Sequence, residues 1–547
     1  MTNLQINARV RRLAYYLDDF EKGNFRIPFF QRRYKWSPEE RRDLFDSIIK
    51  GYPIGTVLLW KPSDDIAYDP DYEDRNIGSY TSDTPSEYSN YILDGFQRLS
   101  TIVGCLINPN TTNLIRDEIE WLENFNLIYN FKDDRVEIGP KNIEKLDFYK
   151  VQLYKLADTR EFYDIQTKFA QNINLLNGED INNYLSKFKE IAYKIQDYML
   201  PSVDISGGDF ETANQMFVRV NTRGKPVNEE EQLSAITSTE SFRLGARISE
   251  LVEKIEKGNF FNKKKRESFR ENIFRTIQSS FGPLYLDSKA TDVEVLSKKP
   301  NFSEVVTRTL ENCNFSVDFF KKYLAIFDLK YIPANLHFIF LVQYFNIKEK
   351  LVKEDIYNLK LWFWQSAYTN CFTKYNPSKR KKAFEYFLKF CRENNTNAFY
   401  WDPDVQLDIE TFPDKIDFGG VRKQTLALFM VNYAIHKNSI LTTEPINSNI
   451  ITGINEYKLF RNENSIGNTV FVPIQRNMLN DLNKKQTSLQ YLLSDEFRGQ
   501  YEELFITDEM RDLYAQRKNK DLLLIREKLI EKKEHEFIER IELYLDF

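Results

Sequence analysis

Apolar residues recur along this chain at two spacings, and the spacing sets which element each stretch predicts. Val10, Leu13, Leu17 and Phe20 fall three or four apart, which predicts a helix over residues 8–22, stopped by Gly23-Asn24. Ser37-Pro38-Glu39-Glu40 offers an N-cap, a first-turn proline and two acids, so a second helix is expected to run to about Lys50. Gly51-Tyr52-Pro53-Ile54-Gly55 turns the chain, and short apolar runs at 56–60 and 91–93 predict strands. Residues 62–90, rich in Asp, Ser, Tyr and Pro, predict a loop or a mobile insertion, and a helix is expected from about Ser100. Further strands are expected at 125–131, 134–138 and 199–205, and helices at 209–220 and 229–237. From about 240 to 415 the pattern is almost wholly helical. Gly419-Gly420 is a candidate boundary, followed by a strand at 469–472 and a charged C-terminal helix. No repeat interrupts the pattern.

Composition narrows this to an α+β, mainly helical chain. Its 547 residues predict several domains of roughly 100–200 residues each. Hydrophobic residues at 42% and aromatics at 15% can fill a large core. Only 19 Gly and 18 Pro argue against a turn-rich β fold. The formal charge of −5 excludes a globally basic nucleic-acid binder, so any such surface is a local patch. Cys105, Cys313, Cys371 and Cys391 show no C-x-x-C spacing, and buried reduced thiols are expected. The first residues lack the apolar core of a signal peptide, and no apolar run is long enough to cross a membrane. A cytoplasmic protein is expected.

Candidate chemistry lies in three segments. In Tyr91-Ile92-Leu93-Asp94-Gly95-Phe96-Gln97-Arg98, a strand runs into a turn holding an acid, a glycine, an amide and a guanidinium. Glycine permits the tight turn, and a helix N-terminus beyond it welcomes an anion. An Asp-Gly turn with a surface arginine is the plainer alternative. Phe29-Phe30-Gln31-Arg32-Arg33-Tyr34-Lys35-Trp36 interleaves cations with rings, suiting phosphate and base, or else a partly buried aromatic segment with snorkelling cations. Arg219-Val220-Asn221-Thr222-Arg223-Gly224-Lys225 reads either as a third polar block or as a helix C-cap. Two basic clusters, Lys263-Lys264-Lys265-Arg266 and Lys379-Arg380-Lys381-Lys382, can track a DNA backbone or lie on solvated helix faces. There is no G-x-x-x-x-G-K-[ST] loop, no H-E-x-x-H and no Cys/His metal set.

In this order, IPFFQRRYKW, Pro53-Ile54-Gly55, ILDGFQR and FVRVNTRGKPVNEEEQLSA resemble the DGQQR-motif family, the GmrS-like half of GmrSD-type modification-dependent restriction proteins. The resemblance spans roughly residues 8–240. It implies a ParB/sulfiredoxin-like N-terminal domain that binds and hydrolyses a nucleoside triphosphate and couples this to recognition of modified DNA. It implies catalytic roles for Asp94, Gln97 and Arg98, with Asp94 holding Mg²⁺ or positioning water, and nucleotide contacts from Gln31, Arg32, Tyr34, Gly95, Asn221, Arg223 and Gly224. Phe96 stands where the family usually has Gln, so an amide able to orient water is lost there.

Farther on, Asn464 to Val472 resembles the "IGN-L" strand of the GmrD-like HNH nuclease domain, with Asn468 in it and Asn477, Asn480 and Lys484 behind it. Such a nuclease needs a histidine base, yet the matching stretch, Leu441-Thr442-Thr443-Glu444-Pro445, holds none, and His436 is the nearest. The expected organisation is therefore 1–240, a nucleotide- and DNA-sensing domain; 241–418, a helical domain; and 419–547, an HNH-like domain short of its catalytic histidine. Two functions follow, beside a third, a partner-dependent nuclease in which a second protein supplies the competent active site. One is an NTP-dependent DNA-sensing component of a restriction or antiphage system, with DNA, including modified phage DNA, and a second defence protein as partners. The other is a non-catalytic nucleotide- or DNA-binding regulatory module with both centres eroded.

Overall fold

Local chemistry sets the first elements. In the computed structural model, Ser37 caps the helix Pro38–Lys50 with a reciprocal bond to Glu40, and Gly51 closes it in the left-handed conformation. The structure describes all residues except 1–3, 29–30, 32–33, 63–76, 82–89, 143–145, 172–177, 209, 222–228, 238–241, 287–291, 349, 394–396, 462, 476–487 and 543–547. Most of the loop expected over 62–90 lies outside the described residues.

By their contacts the residues form two compact units, Met1–Arg243 and Leu244–Phe547. The first holds β1 (Gln5–Arg12), β2 (Phe25–Arg26), β3 (Val57–Lys61), β4 (Tyr80–Thr81), β5 (Asn90–Asp94), β6 (Ile115–Arg116), β7 (Leu127–Asn130), β8 (Arg135–Ile138), β9 (Lys150–Gln152) and β10 (Met199–Ser206). Five of these make a mixed sheet in the order β1-β10-β3-β5-β2. β10 pairs antiparallel to β1 and parallel to β3, and β5 pairs antiparallel to β3 and parallel to β2. Smaller sheets are β8-β7-β9 and β4-β6.

Strand alternation divides the core between the two faces of the main sheet. Leu59 and Ile92 join the larger cluster with Tyr16, Phe45, Ile102 and Trp121. Trp60, Tyr91 and Leu93 join the smaller one with Ile205 and Phe217. Phe217 lies in the helix Phe210–Asn221, close to the expected 209–220, and the helix Glu229–Thr237 follows as expected.

The helix expected over 8–22 is corrected. Residues 5–12 form β1, and α1 covers only Leu13–Glu21. Gln5-Ile6-Asn7-Ala8-Arg9-Val10-Arg11 alternates with period two, and pairing along the whole of β10 satisfies the backbone groups on the side that faces it. Leu13, Tyr16 and Phe20 then supply the buried helical face. With α2 as Pro38–Lys50, α3 spans Phe96–Leu106, starting at Phe96 and not near Ser100. Gly95 turns the chain directly into the helix, and the Phe96 ring is buried in the larger core.

The second unit is mainly helical and carries an antiparallel pair, β11 (Ile451–Lys458) with β12 (Thr469–Gln475). Gly420 lies inside this unit, at the start of the helix Val421–His436. That helix is tied to the C-terminal helix Asn519–Glu542 by the Arg422–Glu534 ion pair, bidentate at 2.7 Å and almost wholly buried. All four cysteines are free and buried. Among the described residues, no helix is long and apolar enough to cross a membrane.

Candidate nucleotide site

Asp94 ends β5, and Gly95 follows at φ 90°. A side chain at this φ is strained, so glycine is what lets the strand meet α3 with no intervening loop. The Leu99 N–H donates to the Gly95 carbonyl at 2.9 Å, closing the first turn, and the positive end of the helix faces the turn.

One helical turn on, the Arg98 guanidinium reaches back. It donates through Nη2 to Asp94 Oδ2 at 3.2 Å and through Nη1 to the Ile54 carbonyl at 3.0 Å. Two glycines make room for it. A Cβ on Gly55, itself at φ 90°, would lie 2.5 Å from Arg98 Nη1, and one on Gly95 would lie 3.5 Å from Nη2 and 3.1 Å from Val57 Cγ2. The Tyr198 hydroxyl accepts from the Ile54 N–H at 3.2 Å and donates to the Tyr52 carbonyl at 2.6 Å, fixing the 51–55 turn.

The aromatic and basic segment is fastened beside this turn. Gln31 Nε2 donates to the carbonyls of Ile92 at 3.0 Å and Leu93 at 3.4 Å. Buried Gln97 accepts the Lys35 N–H at 2.7 Å. The Tyr34 hydroxyl meets Thr101 Oγ1 at 2.8 Å, with its ring against Phe125, and burial pushes its pKa up. Lys35 pairs with Glu231 at 2.9 Å.

The structure thus brings Gln31, Tyr34, Asp94, Gly95, Gln97 and Arg98 together. Gln31, Tyr34 and Gln97 spend their polar atoms on the protein, positioning the segment. Asn221 ends a helix whose Phe217 packs on Tyr91 and Leu93 of β5, and its side chain is not described. Arg32, Arg223 and Gly224 lie outside the described residues. Gly55, Ile54 and Tyr198 carry no site role in the sequence reading. Pro53-Ile54-Gly55 was visible as a motif, but which arginine its turn would hold was not.

The nuclease-like residues are placed differently. Asn468 is fully buried, and its carboxamide closes the loop between β11 and β12. It accepts the Phe460 N–H at 2.8 Å and donates to the carbonyls of Phe460 at 2.8 Å and Glu463 at 2.7 Å. Those bonds use both of its donors and one of its two acceptor sites, and they tie it to the loop. His436 ends its helix half-buried, its pKa lowered to about 4 by burial and then by the charge of Lys360. Fully buried Lys360 donates to the Thr442 carbonyl at 2.8 Å, so the 441–445 block does approach this histidine. Asn477 and Lys484 lie outside the described residues. Among the described residues, no group of three or more His, Cys, Asp or Glu is placed to hold a metal.

Lys263, Lys264 and Lys265 form an exposed turn, while Arg266 pairs with Glu256 at 2.9 Å. Lys379 and Arg380 are engaged internally, with Asp402 at 2.6 Å and the Phe372 carbonyl at 2.9 Å.

The fold and turn define the first unit as an α+β domain built on a mixed sheet, with an arginine-clasped strand-to-helix turn. Residues 13–238 match the family model described as GmrSD restriction endonuclease, N-terminal domain, so this part of the chain is similar to that GmrSD-type family. A comparison with curated proteins gave no match.

Proposed function

We propose that the chain is a nucleotide-dependent, DNA-sensing component of a restriction or antiphage system, binding a nucleoside triphosphate at the Asp94–Arg98 turn. The family that residues 13–238 match is named for a restriction endonuclease, which supports a defence role with DNA as the target. The observation that carries the nucleotide reading is the Arg98 guanidinium, held between Gly55 and Gly95 at the positive end of α3 and paired with Asp94.

The side chains present fit a magnesium nucleotide. Mg²⁺ takes one or two protein carboxylates and completes its shell with phosphate and water oxygens. Asp94 would hold the metal, and Arg98, with Arg32 and Arg223, would take phosphate oxygens. When bound, Mg²⁺ offsets the charge of the phosphates. Gln31 and Gln97 set the position of the 31–35 segment, and Asn221 would orient base or ribose. The exposed turn at 263–265 is the better supported DNA contact.

A non-catalytic regulatory module is favoured by two observations. Phe96, where an amide would orient water, is a core residue, and Asn468 is spent on its loop. These two positions favour binding over hydrolysis or cleavage. Titration calorimetry with Mg²⁺ and each of the common nucleoside triphosphates, on wild type and Asp94→Asn, tests it. The variant should keep its melting temperature and lose at least tenfold in affinity. A folded variant that binds as wild type does would refute the site.

A further inference from the structure

β1 is an edge strand of the main sheet, with β10 on one side and no strand on the other among the described residues. It is exposed at every position but Arg11. Natural sheets shorten, cover, bulge or charge such edges; this one is eight residues long, and its guard is arginine, two of whose charges are already paired with Asp204.

The side chains add a second observation. Register with β10 puts Ile6 opposite Ile205, Ala8 opposite Val203 and Val10 opposite Pro201. Ile205 belongs to the smaller core cluster and Val203 packs against it. Ile6, Ala8 and Val10 therefore continue that apolar face outward, with Ile6 66% and Val10 59% exposed. Two β-branched residues flanking an alanine, aligned in water and extending a core face, favour an interaction surface.

The order of residues says which partner fits. Gln5-Ile6-Asn7-Ala8-Arg9-Val10-Arg11 is matched to its own reverse about Ala8. Laid antiparallel on a second copy with Ala8 at the two-fold axis, Ile6 faces Val10 and Ala8 faces Ala8 on one side of the sheet. On the other side, Asn7 faces Arg9 and Gln5 faces Arg11. No arginine faces an arginine, and each guanidinium meets an amide whose oxygen can accept from it. Asp204 already lies 3.3 Å from Arg9 and 2.7 Å from Arg11 within each copy, which lowers the positive charge brought to the seam. Self-complementarity of this kind is what a two-fold interface demands, since the same patch must serve both partners. Strand addition at a free edge supplies the main-chain bonds.

We propose that two copies of this chain pair through β1 in antiparallel register about Ala8, joining their sheets into one continuous sheet.

Light scattering on the full chain at micromolar concentration tests this first. Wild type should have twice the 65.1 kDa mass of one chain. The double variant Ile6→Lys/Val10→Lys, altered only at exposed positions, should fall to one chain mass with unchanged circular dichroism and melting temperature. Cysteine scanning tests the register. Directly opposed Cβ atoms across an antiparallel pair lie about 4.5–5.5 Å apart, and the native cysteines are all buried. Mild oxidation should therefore crosslink Ala8→Cys into a covalent dimer and leave Ile6→Cys monomeric on denaturing gels. A monomeric wild type, a dimer that survives the double lysine variant, or crosslinking of Ile6→Cys without Ala8→Cys would each overturn the proposal.

Discussion

Substituting Gly55 by alanine isolates what the Arg98 guanidinium does, because Gly51 supplies a matched control. Both glycines have positive φ, 90° at Gly55 and 71° at Gly51. An L side chain there costs roughly 1–2 kcal/mol, partly offset by about 0.4–1 kcal/mol from the stiffer unfolded chain. Each variant should thus lose about 1 kcal/mol, a fall of roughly 2–4 °C in Tm for a domain of this size. Their surroundings differ. A Cβ on Gly51 meets nothing within 4 Å, whereas one on Gly55 would sit 2.5 Å from Arg98 Nη1. Non-bonded heavy atoms settle about 3.5 Å apart, so in Gly55→Ala the guanidinium must move by about an ångström and give up the Ile54 carbonyl. Losing a charge-assisted bond is worth about 1.5–3 kcal/mol, or roughly 10–100-fold in affinity for a phosphate ligand held there. Thermal melts and fluorescent-nucleotide titration, run side by side, separate the two effects. If Gly55→Ala melts like Gly51→Ala and also binds nucleotide like it, Arg98 is not a phosphate contact and the reasoning fails.

Two further outcomes concern the second unit. Lys360 is fully buried, and burial pushes its pKa down from 10.5 to about 7. Between those values the unfolded chain holds a proton the native state has released, so stability should rise with pH across that window; at lower pH the native state carries a buried ammonium. Lys360→Met should flatten the slope and add up to about 5 kcal/mol near neutral pH, each pKa unit being worth about 1.36 kcal/mol; urea melts at several pH values check this, and an unchanged slope would contradict it. Asn468→Ala strands the buried Phe460 N–H and carbonyl and releases the Glu463 carbonyl to solvent, at about 2 kcal/mol in total. Calorimetry should show the loss with nucleotide affinity untouched, and a neutral substitution would mean water replaces the amide.

Much of the candidate site was legible because its determinants are short-range. The Asp94-Gly95 turn follows from a strand-forming run meeting a glycine, and the structure keeps it. The helix start at Phe96 was missed because Phe96 and Gln97 are held by partners far along the chain. Phe96 packs into the larger core, and Gln97 accepts the Lys35 N–H. Asn468 was legible as a motif residue but not as a loop fastener, since nothing in its neighbourhood names the carbonyls it would reach.

By itself, the sequence determined the elements whose causes are local. Ser37 and Pro38 start α2, Gly51 ends it, Gly95 permits the turn after β5, and apolar periodicity makes the chain after about 240 helical. Tertiary structure alone decided that residues 5–12 are a strand, because their hydrogen bonds go to β10. It alone decided that Arg98 clasps Ile54 and Asp94 between two glycines. The physical reason is the same in both cases. A cap or turn satisfies its polar groups within a few residues, whereas a strand edge or a half-buried guanidinium must find its partners in another segment, and only the folded chain shows which segment that is.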